Sequence, residues 1–171
     1  VWVNLDPEAL MKSARESEEN LVAKGPHGML EGIPIGLKDI FCTEGIPTTA
    51  CSDLFRDFIP DYDATSVSTL KHSGAIVMGK LVTTAYAALD PSPTLNPWDK
   101  TLTPGGSSSG SAVSVATGIC PGALGSQTVG STLRPAAYNG IVGLKPTFGR
   151  ISAYGVLPLC WSMDTVGIIT R

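Results

Sequence analysis

Two serines that each follow a glycine, Ser107 and Ser131, are the first candidates for chemistry in this sequence. They lie in a serine- and glycine-rich run, residues 101–133, that contains no Asp, Glu, Lys or Arg, although charged residues make up 16% of the chain. A glycine turn lets the backbone present several N–H groups to one anion. The pattern therefore favours a serine nucleophile whose oxyanion is held by backbone N–H groups.

A serine nucleophile needs a base, and the sequence offers a lysine in place of a histidine. His27 and His72 are far apart and lack an acidic partner motif, so a Ser-His-Asp triad is not expected. Lys38 ends the apolar segment IPIGL, and burial there would lower the pKa of the lysine until it can act as a base near neutral pH. Two alternatives stay open for Lys38: pairing with its neighbour Asp39, or extension from an edge strand into water.

Other interpretations of the serine- and glycine-rich run compete with catalysis. A glycine loop that opens a helix can bind phosphate, but GxxxxGK[ST] is absent, as is GxGxxG after a strand. Small residues can also serve only to let backbones pack closely. A membrane-spanning segment is not expected, because serine and glycine make the run too polar.

The segments that must position these residues predict an α/β fold, with a mixed, largely buried sheet covered by helices. Helices are predicted from Asp6 to Gly25 with one apolar side, over residues 64–73 with Asp63 as the cap, and over residues 111–117. Buried strands are predicted at residues 33–41, 75–79, 123–125, 141–144 and 156–157. Irregular connections are predicted over residues 43–64 and 90–104.

The composition is that of one globular domain. The 171 residues are 43% hydrophobic, which suffices for a core. A net charge of −3 argues against binding to nucleic acid. The four cysteines show no CxxC pair and no zinc spacing, so we expect reduced thiols, no metal and a cytoplasmic location. The first residues do not predict a secretory leader.

Three segments, in this order, closely resemble the amidase signature family of serine hydrolases: LEGIPIGLKDIF, TPGGSSSGSAVSVATG and ALGSQTVGSTLRPAAYNGIVGLKPTFGRIS. The resemblance implies a hydrolase that cleaves a small-molecule carboxylic amide without a metal or an organic cofactor. It also implies a single amidase-type domain over residues 1–171 that is incomplete at both ends, since complete family members are much longer. A truncated sheet would expose an apolar edge, so self-association is expected.

The resemblance also implies a role for individual residues. Lys38 matches the family's base, Ser107 the bridging serine beside a cis peptide bond, and Ser131 the nucleophile. The oxyanion hole would consist of the backbone N–H groups of Thr128, Val129, Gly130 and Ser131. The supporting positions would be Ser108, Gln127 and Arg134.

Several positions depart from the commonest family pattern. Gln127 stands where Asp is usual and Val129 where Gly is usual. Arg134 lies three residues after Ser131 instead of two, with Leu133 at the usual arginine position. We interpret Gln127 and Arg134 as a correlated variant in which one charge pair is rearranged.

Two alternatives to a simple amidase stay open. One is the glutaminase component of an amidotransferase. Against it, the segment after Gly79-Lys80 has the sequence LVTTAYAAL, which departs from the usual sequence of the components that act on charged tRNA. The other is a catalytically silent interaction module. The loop residues Met78, Tyr86, Trp98 and Trp161 are candidates for the lining of a substrate pocket, with a purely structural place in the core as the alternative for each.

Overall fold

The computed structural model describes residues 1–171 and contains one six-stranded sheet with four α-helices. The strands are β1 (Trp2–Asn4), β2 (Pro34–Lys38), β3 (Ile76–Leu81), β4 (Gly122–Gln127), β5 (Val142–Leu144) and β6 (Thr165–Thr170). The helices are α1 (Pro7–Lys24), α2 (Thr65–His72), α3 (Ser109–Ala116) and α4 (Leu133–Asn139). The spatial order is β1-β3-β2-β4-β6-β5, with β2 parallel to both of its neighbours and all other pairs antiparallel. The predicted mixed α/β fold is thus confirmed.

Apolar side chains cover both faces of the sheet near β2 and β4. Because successive side chains of a strand point to opposite faces, Ala123 and Leu124 belong to two different apolar clusters. Ala123 packs with α3 residues such as Val115, while Leu124 packs with Leu37 and with Val67 of α2. The two strands that carry the candidate site are therefore shielded from water on both sides.

Helix α1 begins where the sequence predicts, but it buries no residue. The Asp6 carboxylate accepts hydrogen bonds from the N–H groups of Glu8 and Ala9, each at 3.0 Å. The predicted apolar side of α1 is wrong, since Met11 is 54% and Val22 84% exposed. None of the helices combines the length and the apolar character needed to cross a membrane.

Helix α2 matches its predicted position, but its predicted cap is wrong. The capping position is Ala64, and no side chain caps the helix. Asp63 instead accepts hydrogen bonds from the Glu44 N–H at 2.9 Å and from the Lys71 ammonium group. Asp63 therefore ties α2 to the preceding loop. Helix α3 begins two residues earlier than predicted, within the serine cluster.

Four predicted strands are confirmed with shifted boundaries, as β2, β3, β4 and β5. The predicted strand at residues 156–157 is wrong, because Val156 forms only a single bridge with Phe41. Strands β1 and β6 and helix α4 lie outside the predicted elements. The connections over residues 43–64 and 90–104 are irregular as predicted, apart from one short 3-10 turn, Asp53–Phe55.

Candidate active site

Lys38 is the last residue of β2 and is completely buried. Its Nζ donates hydrogen bonds to Ser107 Oγ at 2.6 Å and to Ser126 Oγ at 2.7 Å. Neither alternative from the sequence holds, because the side chain neither reaches water nor pairs with Asp39. The apolar strand carries the amine into the protein interior, where two hydroxyl groups are its partners.

The surroundings of Lys38 favour the neutral amine. Burial lowers the pKa of Lys38 from 10.5 to about 7, while Asp164 and Cys51 act in the opposite direction. Burial has this effect because a charged ammonium group loses its hydration in the interior. Lys38 can therefore exist as a free base near neutral pH, as a lysine that acts as a proton acceptor must.

Asp39, the predicted alternative partner of Lys38, faces a second buried lysine. Lys80 Nζ lies 3.8 Å from Asp39 Oδ1 and donates a hydrogen bond to Thr48 Oγ1 at 2.7 Å. The Asp39 carboxylate also accepts hydrogen bonds from Thr49, including one from its hydroxyl at 2.5 Å. Burial lowers the pKa of Lys80 to about 8, and the Asp39 carboxylate partly offsets this. Lys80 also lies in an apolar strand, but it was not among the residues predicted for the site.

Ser107 and Ser108 lie in the turn that leads into α3, and both are buried. The Gly106–Ser107 peptide bond is cis, as the resemblance implied. Ser108 Oγ accepts a hydrogen bond from Ser126 N–H at 3.2 Å and donates one to Ser126 O at 3.2 Å. The Ser108 N–H donates to Ser131 O at 3.1 Å. Ser108 thus connects the Ser107 turn both to β4 and to Ser131.

Ser131 lies between β4 and α4 and is half-buried. Its hydroxyl is hydrogen bonded to neither Ser107 nor Lys38. The structure therefore unites Lys38 with Ser107 and ties the backbone of Ser131 to the same turn, but it does not join the two serine hydroxyls directly. Hydrogen bonds between catalytic groups are often long before substrate binds.

The turn before Ser131 leaves consecutive backbone N–H groups free. Those of Thr128, Val129, Gly130 and Ser131 donate no hydrogen bond to another protein atom. Unpaired N–H groups gathered in one turn form an anion-binding concavity. The four residues predicted for the oxyanion hole thus have the donors that this role needs.

Gln127 and Arg134 support this turn separately and do not pair with each other. Gln127 Oε1 accepts hydrogen bonds from the N–H groups of Thr132 and Leu133, both at 2.9 Å, and its Nε2 donates to Val129 O at 3.0 Å. Aspartate, usual at this position, could accept but not donate. Arg134 Nη2 and Nε donate to Gly106 O at 2.6 and 3.1 Å.

An apolar cavity of about 210 Å³ lies beside this site. Its lining includes Ser126 and Thr128 on one side and aliphatic side chains such as Ile151 and Leu157 on the other. Of the predicted pocket residues, only Trp161 lines it. Met78 lies at a different cleft beside α1, the Tyr86 hydroxyl is hydrogen bonded to Ser52, and the Trp98 ring N–H donates to Asn139 O at 3.0 Å.

Two polar side chains at the site, Ser126 and Asp164, were not among the residues predicted from the sequence. Ser126 follows from strand pairing: β2 and β4 are parallel neighbours with Leu37 opposite Leu124, which brings the ends of both strands together. Asp164 accepts a hydrogen bond from Thr128 Oγ1 at 2.5 Å. One signal was available for Ser126, namely a hydroxyl that directly follows the predicted apolar strand at residues 123–125.

A mixed α/β sheet that buries a lysine against a serine, beside a turn of free N–H groups, is the arrangement of an amidase-type hydrolase. The family model described as Amidase matches residues 1–171. The chain belongs to the amidase family.

Similar proteins include amidotransferase components and amidases. A glutamyl-tRNA(Gln) amidotransferase subunit from mitochondria of Drosophila pseudoobscura pseudoobscura is 44% identical over 99% of this chain and 36% of its own length. The peptide amidase of Stenotrophomonas maltophilia has a TM-score of 0.94 with 38% identity, covering 99% of this chain and 37% of its own. The corresponding amidotransferase subunit from Thermotoga maritima has a TM-score of 0.81 with 35% identity, covering 97% and 42%. The chain thus spans little more than a third of the length of such relatives.

Proposed function

We propose that this chain carries the reactive groups of an amidase that cleaves a small-molecule carboxylic amide through an acyl-enzyme on Ser131. The observation that carries the proposal is the hydrogen bond of 2.6 Å between the fully buried Lys38 amine and Ser107 Oγ. A lysine whose pKa lies at about 7 can take a proton from a serine at neutral pH. No metal or organic cofactor takes part in the proposed steps.

Acylation begins with a proton relay. Neutral Lys38 takes the proton of Ser107, and Ser107 takes the proton of Ser131 as Ser131 Oγ attacks the carbonyl carbon. The free N–H groups of residues 128–131 stabilise the negative oxygen of the tetrahedral intermediate, and loss of one such donor typically costs about 3 kcal/mol. The C–N bond then breaks, and the proton returns from Lys38 through Ser107 to the leaving amine.

Deacylation repeats the relay with water. Neutral Lys38 takes the proton of Ser107, and Ser107 takes a proton from water as the water oxygen attacks the acyl carbon. The bond between the acyl carbon and Ser131 Oγ breaks, the proton returns from Lys38 through Ser107 to Ser131 Oγ, and the carboxylic acid leaves. Each cycle consumes one water and releases one amine and one acid.

Ser131→Ala tests the proposal. We expect kcat/KM for a panel of primary amides, including peptide C-terminal amides, to fall by at least about 10³-fold because the nucleophile is removed. Intact-protein mass spectrometry with a slowly hydrolysed amide should show an acyl adduct in the unmodified protein only. Ser13→Ala, an exposed serine on α1, is the matched control and should behave like the unmodified protein. If the unmodified protein and Ser131→Ala are equally inert on every amide, the proposal fails and the alternative of a catalytically silent interaction module gains support.

A second candidate is the glutaminase reaction of an amidotransferase, because sequence relatives at 44% identity are named as components of glutamyl-tRNA(Gln) amidotransferases. The same nucleophile would then act on the side-chain amide of glutamine. Ammonia release from L-glutamine in preference to the panel amides, lost in Ser131→Ala, would assign this substrate.

A further inference from the structure

Asp164 holds the residue at which the turn of free N–H groups begins. Its Oδ1 accepts the hydrogen bond from Thr128 Oγ1 at 2.5 Å. Its Oδ2 accepts hydrogen bonds from the N–H groups of Leu159 and Cys160 at 2.7 and 2.8 Å. Both carboxylate oxygens are therefore occupied, and the side chain is fixed on its own loop while it contacts Thr128.

Strand register explains this position. In the antiparallel pair of β4 and β6, Gln127 lies opposite Thr165. Continuing that register by one residue places Thr128 beside Asp164. The contact therefore joins the carboxyl end of β4 to the start of β6, directly before the turn that leads to Ser131.

The charge of Asp164 has no cation of its own. The carboxylate forms no ion pair, and all three of its hydrogen-bond donors are neutral. Asp164, Thr128 and Ser126 line the same cavity, and Ser126 accepts a hydrogen bond from Lys38. Lys38 is thus connected through Ser126 to the cavity that Asp164 lines, and Asp164 acts to raise the pKa of Lys38.

Other ionisable groups near Lys38 are engaged elsewhere. Asp39 is held by Thr49 and faces Lys80. Arg134 donates to the carbonyl of Gly106. Cys51 is the remaining neighbour, and burial raises the pKa of its thiol, which keeps it neutral. Asp164 is therefore the group that can favour a proton on Lys38.

We propose that Asp164 is a positioning residue of the site. It orients the turn of free N–H groups, residues 128–131, through Thr128, and it stabilises the ammonium group that forms on Lys38 during acylation. This inference rests on the proposed function, since only the relay charges Lys38 in each cycle. The stabilisation of Lys38 by Asp164 acts through space, between a fully buried amine and a half-buried carboxylate that lines the adjacent cavity. The orientation of Thr128 acts through the hydrogen bond alone.

Two variants separate these effects. Asp164→Asn removes the charge but keeps an oxygen for the N–H groups of Leu159 and Cys160 and a polar group for Thr128. Thr128→Val removes the hydroxyl and keeps the charge. We expect Asp164→Asn to move the acidic limb of kcat/KM to lower pH by about one unit. We expect Thr128→Val to lower kcat by about 10²-fold without moving that limb.

Direct titration of Lys38 keeps this inference distinct from the proposed function. NMR of lysine labelled at Cε, in the inactive Ser131→Ala background with Lys38→Met to assign the signal, measures the protonation midpoint without turnover. A lower midpoint in Asp164→Asn and an unchanged one in Thr128→Val support the inference. An unchanged or raised midpoint in Asp164→Asn, or equal shifts in both variants, overturns it. If no amide is cleaved at all, the proposed function fails while the titration still decides whether Asp164 favours the protonated lysine.

Discussion

Lys38 loses its hydration because the apolar strand before it enters the middle of the sheet, and its new partners are two hydroxyl groups rather than a carboxylate. A hydroxyl can accept a hydrogen bond from an ammonium group or donate one to a neutral amine. A carboxylate would have held the lysine in its charged form. Asp39 is prevented from doing so by its contacts with Thr49 and Lys80. The site can therefore accommodate both protonation states of Lys38.

The protonation of Lys38 should be visible in the pH dependence of stability. Its pKa is about 7 in the folded protein against a reference of 10.5, so between these values the unfolded chain binds a proton that the folded protein lacks. Stability must therefore rise with pH through this window, by up to about 1.4 kcal/mol per pH unit. Below pH 7 both states hold the proton, and the full cost of burying the charge remains.

Lys38→Met tests this prediction in urea-unfolding experiments between pH 7 and 8. Lys80 adds a rise of the same sign, but only above its own pKa of about 8. We expect the unfolding free energy of the unmodified protein to increase over this interval relative to that of Lys38→Met, which cannot titrate there. The variant also leaves two hydroxyls without a partner, a cost of about 1–3 kcal/mol that does not depend on pH. Parallel pH profiles of the two proteins would show that Lys38 stays charged.

At the level of elements, the candidate site depends on a close approach between two strands and the segments above them. Gly125 of β4 lies opposite Gly167 of β6. A Cβ at Gly167 would collide with the buried side chain of Thr132, and a Cβ at Gly125 would lie 2.8 Å from Ser108 Oγ. Glycine at both positions allows Ser108 and Thr132 to pack directly against the sheet. These two residues are the chain neighbours of Ser107 and Ser131.

Gly125→Ala should therefore disturb both stability and the site. The new methyl group must displace Ser108, which binds β4 and the carbonyl of Ser131. We expect a loss of about 1–3 kcal/mol in unfolding free energy, typical of overpacking, together with a lower kcat. Gly122→Ala on the same strand is the control, because its nearest neighbour, Ile35 Cδ1, would lie 3.4 Å from the new Cβ. Urea unfolding measures both variants, and equal losses would contradict the importance of the Ser108 contact.

The elements that carry the site differ in how far sequence predicts them. Strands β2 and β3 are predictable because each is a short apolar run between turn formers, and the glycine spacing around Ser107 and Ser131 marks both turns. Strand β1 has only three residues and depends on its pairing with β3. The partners Ser126 and Asp164 depend on strand register, which local sequence does not specify. The apolar pattern of α1 predicts a buried side that the structure lacks.

At the scale of the whole molecule, the sheet ends in an apolar edge. Strand β5 pairs only with β6, so its outer N–H and C=O groups are available. Val142 and Leu144 on this strand are 57% and 52% exposed, and Phe148 and Trp161 add further exposed apolar surface to the molecule. Exposed apolar edge strands favour pairing between chains.

We predict that the 171-residue chain self-associates through β5 in a concentration-dependent manner. Leu144→Lys should shift sedimentation profiles towards the monomer, because a lysine on an edge strand opposes pairing with a second edge. Val22→Lys is the matched control: Val22 is 84% exposed but lies on α1, where it cannot extend the sheet. If both variants reduce association equally, the effect is one of net charge and not of the edge. If the unmodified chain stays monomeric as its concentration is raised, the β5 edge does not mediate association, and the exposed residues around it need another physical explanation.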